Sequence, residues 1–197
     1  MDGVTRTQQQ MMTNSRRNTV LIVGSTGSLG KPIVLELMRR GVAVRLMGRS
    51  KESFVRAGFI EETKDGEFSS NINADIVVCN DMTKYSSYNS EWFQDIFCVV
   101  CVARPRSLID GDSKSYVQTV GSICNAAKAN GVPRVLLHGI PYVETNIISQ
   151  SHTMSILRQA EKTAKDVLKA SSTALTISRI CEQTEILHLL EAVHMIG

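Results

Sequence analysis

The chain has 197 residues, 43% apolar and 21% charged, with a net charge of +3. These are the proportions of an ordinary folded domain, not of a disordered polyelectrolyte, and the length suits a single one. No run approaches the roughly 18 apolar residues of a membrane span, and so mild a positive charge gives no reason to expect nucleic acid.

Residues 1–17 are polar and aperiodic, with Gln8, Gln9 and Gln10 in a row, and are predicted to be a disordered tail. Arg6, Arg16 and Arg17 against the single acid Asp2 leave a plastid or mitochondrial leader as an alternative. The helical apolar stripe of such a leader is missing. The remainder, 18–197, reads as one domain. Thr19 to Val23 is a strand run, and Lys31 to Arg40 places Ile33, Val34, Leu37 and Met38 at helical spacing, closed by Gly41. A second strand, Ala43 to Met47, completes a βαβ unit. The polar stretch 50–73 reads as a short helix and then a loop, ahead of a strand from Asp75 to Cys79.

The β-branched run Ile96 to Ala103 predicts a fourth strand. Its Cys98 and Cys101, three apart, would face opposite sides of a sheet, which removes them as a metal or redox pair. With Cys79, Cys124 and Cys181 they make an odd, dispersed set unlike a secreted disulfide framework. A reducing compartment follows, and the cytoplasm is the predicted location. Tyr116, Val117, Val120, Ile123, Cys124 and Ala127 then mark a helix that stops at Asn130 and Gly131. Val135 to Ile140 is a fifth strand, Ile156 to Leu168 a helix and Leu175 to Ile180 a sixth strand. An apolar helix is expected from about Glu185. Alternation of this kind predicts a doubly wound parallel sheet with helices on both faces, because parallel strands need crossovers that cover the sheet.

Directly after the first strand stands Gly24-Ser25-Thr26-Gly27-Ser28-Leu29-Gly30, and Lys31-Pro32 opens the helix. A glycine turn there lets backbone N–H groups and the positive end of the helix dipole approach a pyrophosphate. Nineteen residues past Gly30 comes Arg49, followed by Ser50 and Lys51. An acid at that place would accept ribose hydroxyls, whereas a guanidinium offers its fork to a 2′-phosphate, so NADP(H) is expected over NAD(H). Arg49 and Lys51 as a solvated surface pair is the alternative.

The turn resembles the T-G-x-x-G of the extended and atypical short-chain dehydrogenases with a Rossmann fold, the NmrA-like branch above all. Asp81-Met82-Thr83 is similar to that family's acidic residue beside the adenine, and Val102-Ala103 to the place where its fourth strand passes the cofactor. Asn125 to Arg134 resembles its helix end and fifth-strand entry, and Ala160-Glu161-Lys162 its late helix. The resemblance runs from Thr19 to Ile180. It implies a bound dinucleotide and, in an active member, an unidentified small-molecule substrate.

The departures bear on activity. That family's usual base is a Tyr with a Lys four residues later, whose ammonium lowers the phenol's pKa. Tyr85, Tyr88, Tyr116 and Tyr142 are instead followed at that offset by Asn89, Trp92, Val120 and Asn146, and Leu157 stands where relatives often carry a lysine. His138 and Tyr142, expected near the carboxyl end of the sheet, are the candidate proton donors; both also read as packed structural residues. The four histidines are too scattered for a metal site. Two functions stay open: an NADP(H)-dependent oxidoreductase without the usual dyad, or a non-catalytic sensor, regulator or assembly module on the same fold. The apolar C-terminal segment, with Ile186, Leu187, Leu189, Leu190 and Val193, predicts a homodimer or a protein partner if it does not close the chain's own core.

Overall fold

The computed structural model describes residues 19–63, 65–103, 113–139 and 152–178. The predicted N-terminal tail and the C-terminal apolar segment lie outside them. Six parallel strands form the main sheet: β1 (Thr19–Val23), β2 (Ala43–Gly48), β5 (Asp75–Val78), β6 (Ile96–Cys101), β7 (Arg134–His138) and β8 (Ala174–Ser178). Their spatial order is β5-β2-β1-β6-β7-β8. The chain therefore winds outward one way from β1, returns to its other side at β6, and winds outward again. That reversal is the switch point at which open α/β sheets leave a crevice at their carboxyl ends.

Register makes the sheet two-faced. Ile22 is paired with Leu46 on one side and Val100 on the other, while the next residue along, Val23, is paired with Met47 and Cys101. Because side chains alternate across a strand, the first set joins one core and the second set the other. Helices α1 (Gly30–Arg39) and α2 (Lys51–Ala57) cover the first, through Ile33, Val34, Leu37 and Phe54. Helices α3 (Ser113–Ala129) and α4 (His152–Leu168) cover the second, through Val120, Ile123, Ala160 and Ala164. α3 and α4 also lie against each other, at a distance set by Gly121, where a Cβ would stand 3.1 Å from the methyl of Thr163. Cys98 and Cys101 fall in opposite cores, as their spacing predicts.

The polar insert differs from its expected helix and loop. Helix α2 is there, but β3 (Ile60–Glu62) and β4 (Phe68–Ser70) then pair antiparallel. Ile60 alone of these six residues is buried, so the ladder carries almost no apolar signal for a sequence reading to find. Among the described residues no helix is long and apolar enough to cross a membrane.

Candidate functional site

At the carboxyl end of β1 the chain turns sharply. Gly24 has φ +87°, and a Cβ on it would stand 2.6 Å from the backbone N of Ala103, so the exits of β1 and β6 touch there. The N–H of Gly27 donates to the Gly24 carbonyl at 3.1 Å, and that of Lys31 donates to the Gly27 carbonyl at 3.0 Å. Gly30 is bare for another reason: its Cβ would lie 2.1 Å from the Gly24 oxygen, inside any permissible contact. Gly27 differs from both. Its φ is not in the left-handed region, and a Cβ there would meet only the Gly24 oxygen, at 3.3 Å, with open space beyond. What a side chain at 27 would fill is the cavity itself. The start of α1 above it has no side-chain cap at Leu29 and no acid in its first turn, so no side chain of this turn offsets the positive end of the helix dipole.

A cavity of about 610 Å³ opens beneath this turn. Its second wall comes from the end of β2 and from α2: Gly48, Arg49, Ser50, Ser53 and Arg56. Here the Ser53 hydroxyl donates to the Ser50 carbonyl at 2.6 Å. Glu52 occupies the first turn of α2, its carboxyl held below the usual range by a hydrogen bond to Ser50. The positive end of α2 is thus matched by its own acid, unlike that of α1. The third wall is Asn80, Asp81, Met82 and Thr83. Asp81 Oδ1 accepts from the N–H and the hydroxyl of Thr83, and Oδ2 meets Lys84 Nζ at 2.9 Å. These bonds to Thr83 and Lys84 hold the Asp81 carboxyl down to about 2. Tyr88 donates to the Met82 carbonyl at 2.8 Å and Ser122 to that of Thr83 at 2.7 Å, which anchors this loop to its surroundings. Val102, Ala103 and, from the first turns of α3, Ser115, Tyr116 and Thr119 close the cavity.

Ten of the residues singled out in the sequence line this one cavity: Gly24, Thr26, Gly27, Ser28, Leu29, Arg49, Asp81, Met82, Val102 and Ala103. Three others do not. Ser25 is fully buried beneath the turn, Gly30 serves the turn's own packing, and Lys51 sits with its Nζ 4.7 Å from the centre of the Phe68 ring. His138 is buried at the end of β7, beside Ser178 in register, and is not part of the lining. Tyr142 lies outside the described residues. Sequence reasoning missed Arg56 and Tyr116. Arg56 follows Ser53 by three residues, so one helical turn brings both to the cavity. Tyr116 reads only as a member of an apolar stripe, and it is buried as one. Among the described residues no cluster could hold a metal ion.

The model of the NmrA-like family matches residues 16–151, which is well over half of the sequence. The chain belongs to the NmrA-like family. A search of curated proteins found no match. Among solved structures, Pen from Bacillus thuringiensis is 20% identical, with a TM-score of 0.63 over 83% of this chain and 49% of its own. Yeast methylglyoxal/isovaleraldehyde reductase complexed with NADPH is 21% identical, with a TM-score of 0.64 over 82% and 57%. A putative NAD-dependent epimerase/dehydratase from Bacillus halodurans is 23% identical, with a TM-score of 0.58 over 82% and 69%. These likenesses show the fold. This NmrA-like chain spans about half the length of the first of them.

Proposed function

We propose that this NmrA-like chain binds a nicotinamide dinucleotide, NADP(H) in preference to NAD(H), in the cavity beneath the glycine turn. The observation that carries the reading is Gly27: it lines the cavity at the switch point, under a helix start with neither a capping side chain nor an acid in its first turn. Gly24, Thr26, Gly27, Ser28 and Leu29 would hold the pyrophosphate. Asp81 and Met82 would border the adenine, and Val102 and Ala103 the inner part of the cofactor. Arg49 would face the 2′-phosphate, joined by Arg56 and by Ser50 and Ser53, all on the same wall. The yeast reductase with NADPH and a short-chain dehydrogenase/reductase superfamily protein from Agrobacterium tumefaciens with bound NAD agree with a dinucleotide of either kind, and the arginine pair is what favours the phosphorylated one.

When bound, the nicotinamide ring would supply hydride chemistry; the chain's own residues bind and orient it. Of the three described tyrosines only Tyr116 lines the cavity, and Val120, not a lysine, lies one turn on. Tyr88 donates to Met82 and burial pushes its phenol far up. A cofactor-reading regulatory module fits this set better than an oxidoreductase built on a tyrosine and lysine pair. Hydride transfer is the second reading, favoured by the presence of Tyr116 in the cavity lining.

Calorimetric titration tests the proposal. NADPH should bind more tightly than NADH, and Arg49→Ala and Arg56→Ala should each narrow that ratio by about 10-fold or more, as expected for charged hydrogen-bonding partners worth roughly 1.5 to 3 kcal/mol. An unchanged ratio in both variants would remove the 2′-phosphate assignment, and no saturable binding of either nucleotide would remove the site. Oxidation of NADPH with a panel of small carbonyl compounds, lost in Tyr116→Phe, would turn the reading to the enzyme.

A further inference from the structure

A second concavity lies on the far side of the sheet, between the carboxyl end of α4 and the edge strand β8. Its floor is Leu168, Leu175 and Ile177, its rim carries Lys165 and Lys169 with Asp166 between them, and Thr173 lines it as well. Three features set it apart from an ordinary surface groove. First, β8 is Ala-Leu-Thr-Ile-Ser, without the lysine, proline or inward charge by which edge strands are usually blunted. Second, the direction of its free backbone groups is fixed. The N–H of Ala174 donates to the Pro133 carbonyl, and the Ser178 carbonyl accepts from the N–H of Gly139, so residues 174, 176 and 178 turn their backbone groups toward β7. Alternation then sends the N–H and C=O of Leu175 and Ile177 outward, where among the described residues no strand pairs with them. Third, Thr173 is 4% exposed and its hydroxyl makes no hydrogen bond, an arrangement that costs stability unless something supplies a partner.

We propose that this edge is a docking surface for an extended segment of another protein, one that alternates apolar and acidic residues. The segment would add a strand to β8 through the outward groups of Leu175 and Ile177. Its apolar side chains would lie over Leu168, Leu175 and Ile177, and its acids would meet Lys165 and Lys169. The charge argues against a second copy of this chain: pairing β8 with its own image would bring two sets of Lys165 and Lys169 to one seam. A strand with acids resolves that repulsion.

The test uses the full chain and two blocked, fluorescein-labelled octapeptides, one alternating Val and Glu, the other alternating Val and Lys. Fluorescence anisotropy should show saturable binding of the acidic peptide and at least tenfold weaker binding of the basic one. The double variant Lys165→Glu, Lys169→Glu should reverse that order. Both positions are exposed, so its fold should survive, and NADPH affinity should not change. Equal binding of the two peptides, no binding at millimolar concentration, or a preference left intact by the charge reversal would overturn the proposal. So would a wild-type dimer in light scattering that the charge reversal dissociates, because the edge would then be taken by a second copy.

Discussion

The two ends of the central strands are built on opposite terms. At the amino end a charged side chain holds strands together. Arg45, on β2, gives its Nη2 to Asp75 Oδ2 at 2.9 Å and its Nη1 to the carbonyls of Glu91, Trp92 and Gln94 at 3.0 to 3.3 Å. One guanidinium thereby ties β2, the start of β5 and the approach to β6 together. At the carboxyl end of the same strands the pattern is inverted: a bare turn, a helix start without cap or acid, and a cavity walled by Arg49 and Arg56. One end joins strands through a charged side chain, and the other lines the cavity proposed to take the dinucleotide. Changes at the first should therefore register in stability, and changes at the second in binding.

Gly30→Ala should break this separation and have the largest effect. A Cβ 2.1 Å from the Gly24 carbonyl has nowhere to go, since both partners are backbone of the turn, so β1 and α1 must part. A loss of about 3 kcal/mol in urea unfolding, at the upper end for overpacking, should accompany loss of NADPH binding. Gly41→Ala is the control: its φ is +75° but nothing lies within 4 Å, so the cost should be about 1 kcal/mol with the cofactor still bound. If Gly30→Ala costs no more than Gly41→Ala, the packing of the turn is looser than its geometry.

Gly27→Val sharpens the comparison, because it should act chiefly on the ligand. The φ at 27 is not left-handed and a Cβ would press only on the Gly24 oxygen, which must give by a few tenths of an ångström, so circular dichroism should stay near wild type with a modestly lowered urea midpoint. NADPH affinity should fall at least 100-fold, about 2.7 kcal/mol. A folded variant that still binds NADPH as tightly as the wild type would show that the pyrophosphate does not lie against this turn.

Arg45→Met is the converse at the amino end. It keeps the length of the side chain, removes the charge, and leaves three carbonyls without their donor. A loss of about 1.5 kcal/mol is expected, since hydrogen bonds from a charged group are the costly ones to remove and the one to the Trp92 carbonyl is part-buried. Calorimetry should find NADPH affinity unchanged. Weakened binding here would mean that the two ends are coupled through the sheet.

The carboxyl end was the more legible of the two. Strand β1, the glycine turn and Arg49 sit within thirty residues of one another and follow from periodicity and spacing alone. All six main strands fall within two residues of their expected limits, since each is an apolar run with turn signals beyond it. What stayed hidden was non-local. Arg45 reads as a lone charge in a strand, and nothing in its neighbourhood says that three carbonyls nearly fifty residues on will converge on it. Tyr116 and Arg56 reach the cavity only because α3 and α2 bring them there. Lys51, expected beside Arg49, was carried away by the first turn of α2 and lies over Phe68, in a hairpin that the sequence did not announce.

The smallest expected effect concerns acid. Bonds to Thr83 and Lys84 depress Asp81 from 3.8 to about 2, and bonds to Arg39 and Arg40 bring Glu36 from 4.5 to about 2. A carboxyl whose folded pKa is depressed stabilises the fold at pH above its unfolded value, and that contribution is lost as pH falls through the folded one. The window is therefore about pH 4.5 down to 2 for Glu36 and about 3.8 down to 2 for Asp81. Both are partly exposed and salt-screened, so each should contribute only a modest part of the slope, smaller in 0.5 M salt. Asp81→Asn and Glu36→Gln should each flatten the urea midpoint against pH in that range. They should differ in binding at neutral pH, which separates the two kinds of residue. Glu36 sits on α1 away from the cavity and its loss should leave NADPH affinity alone. Asp81 closes the turn that carries Met82 and Thr83 along the third wall, so its loss should weaken NADPH severalfold. If the two variants bind NADPH alike, the Asp81 turn is only a surface cap, and the carboxyl end of the sheet holds its ligand without it.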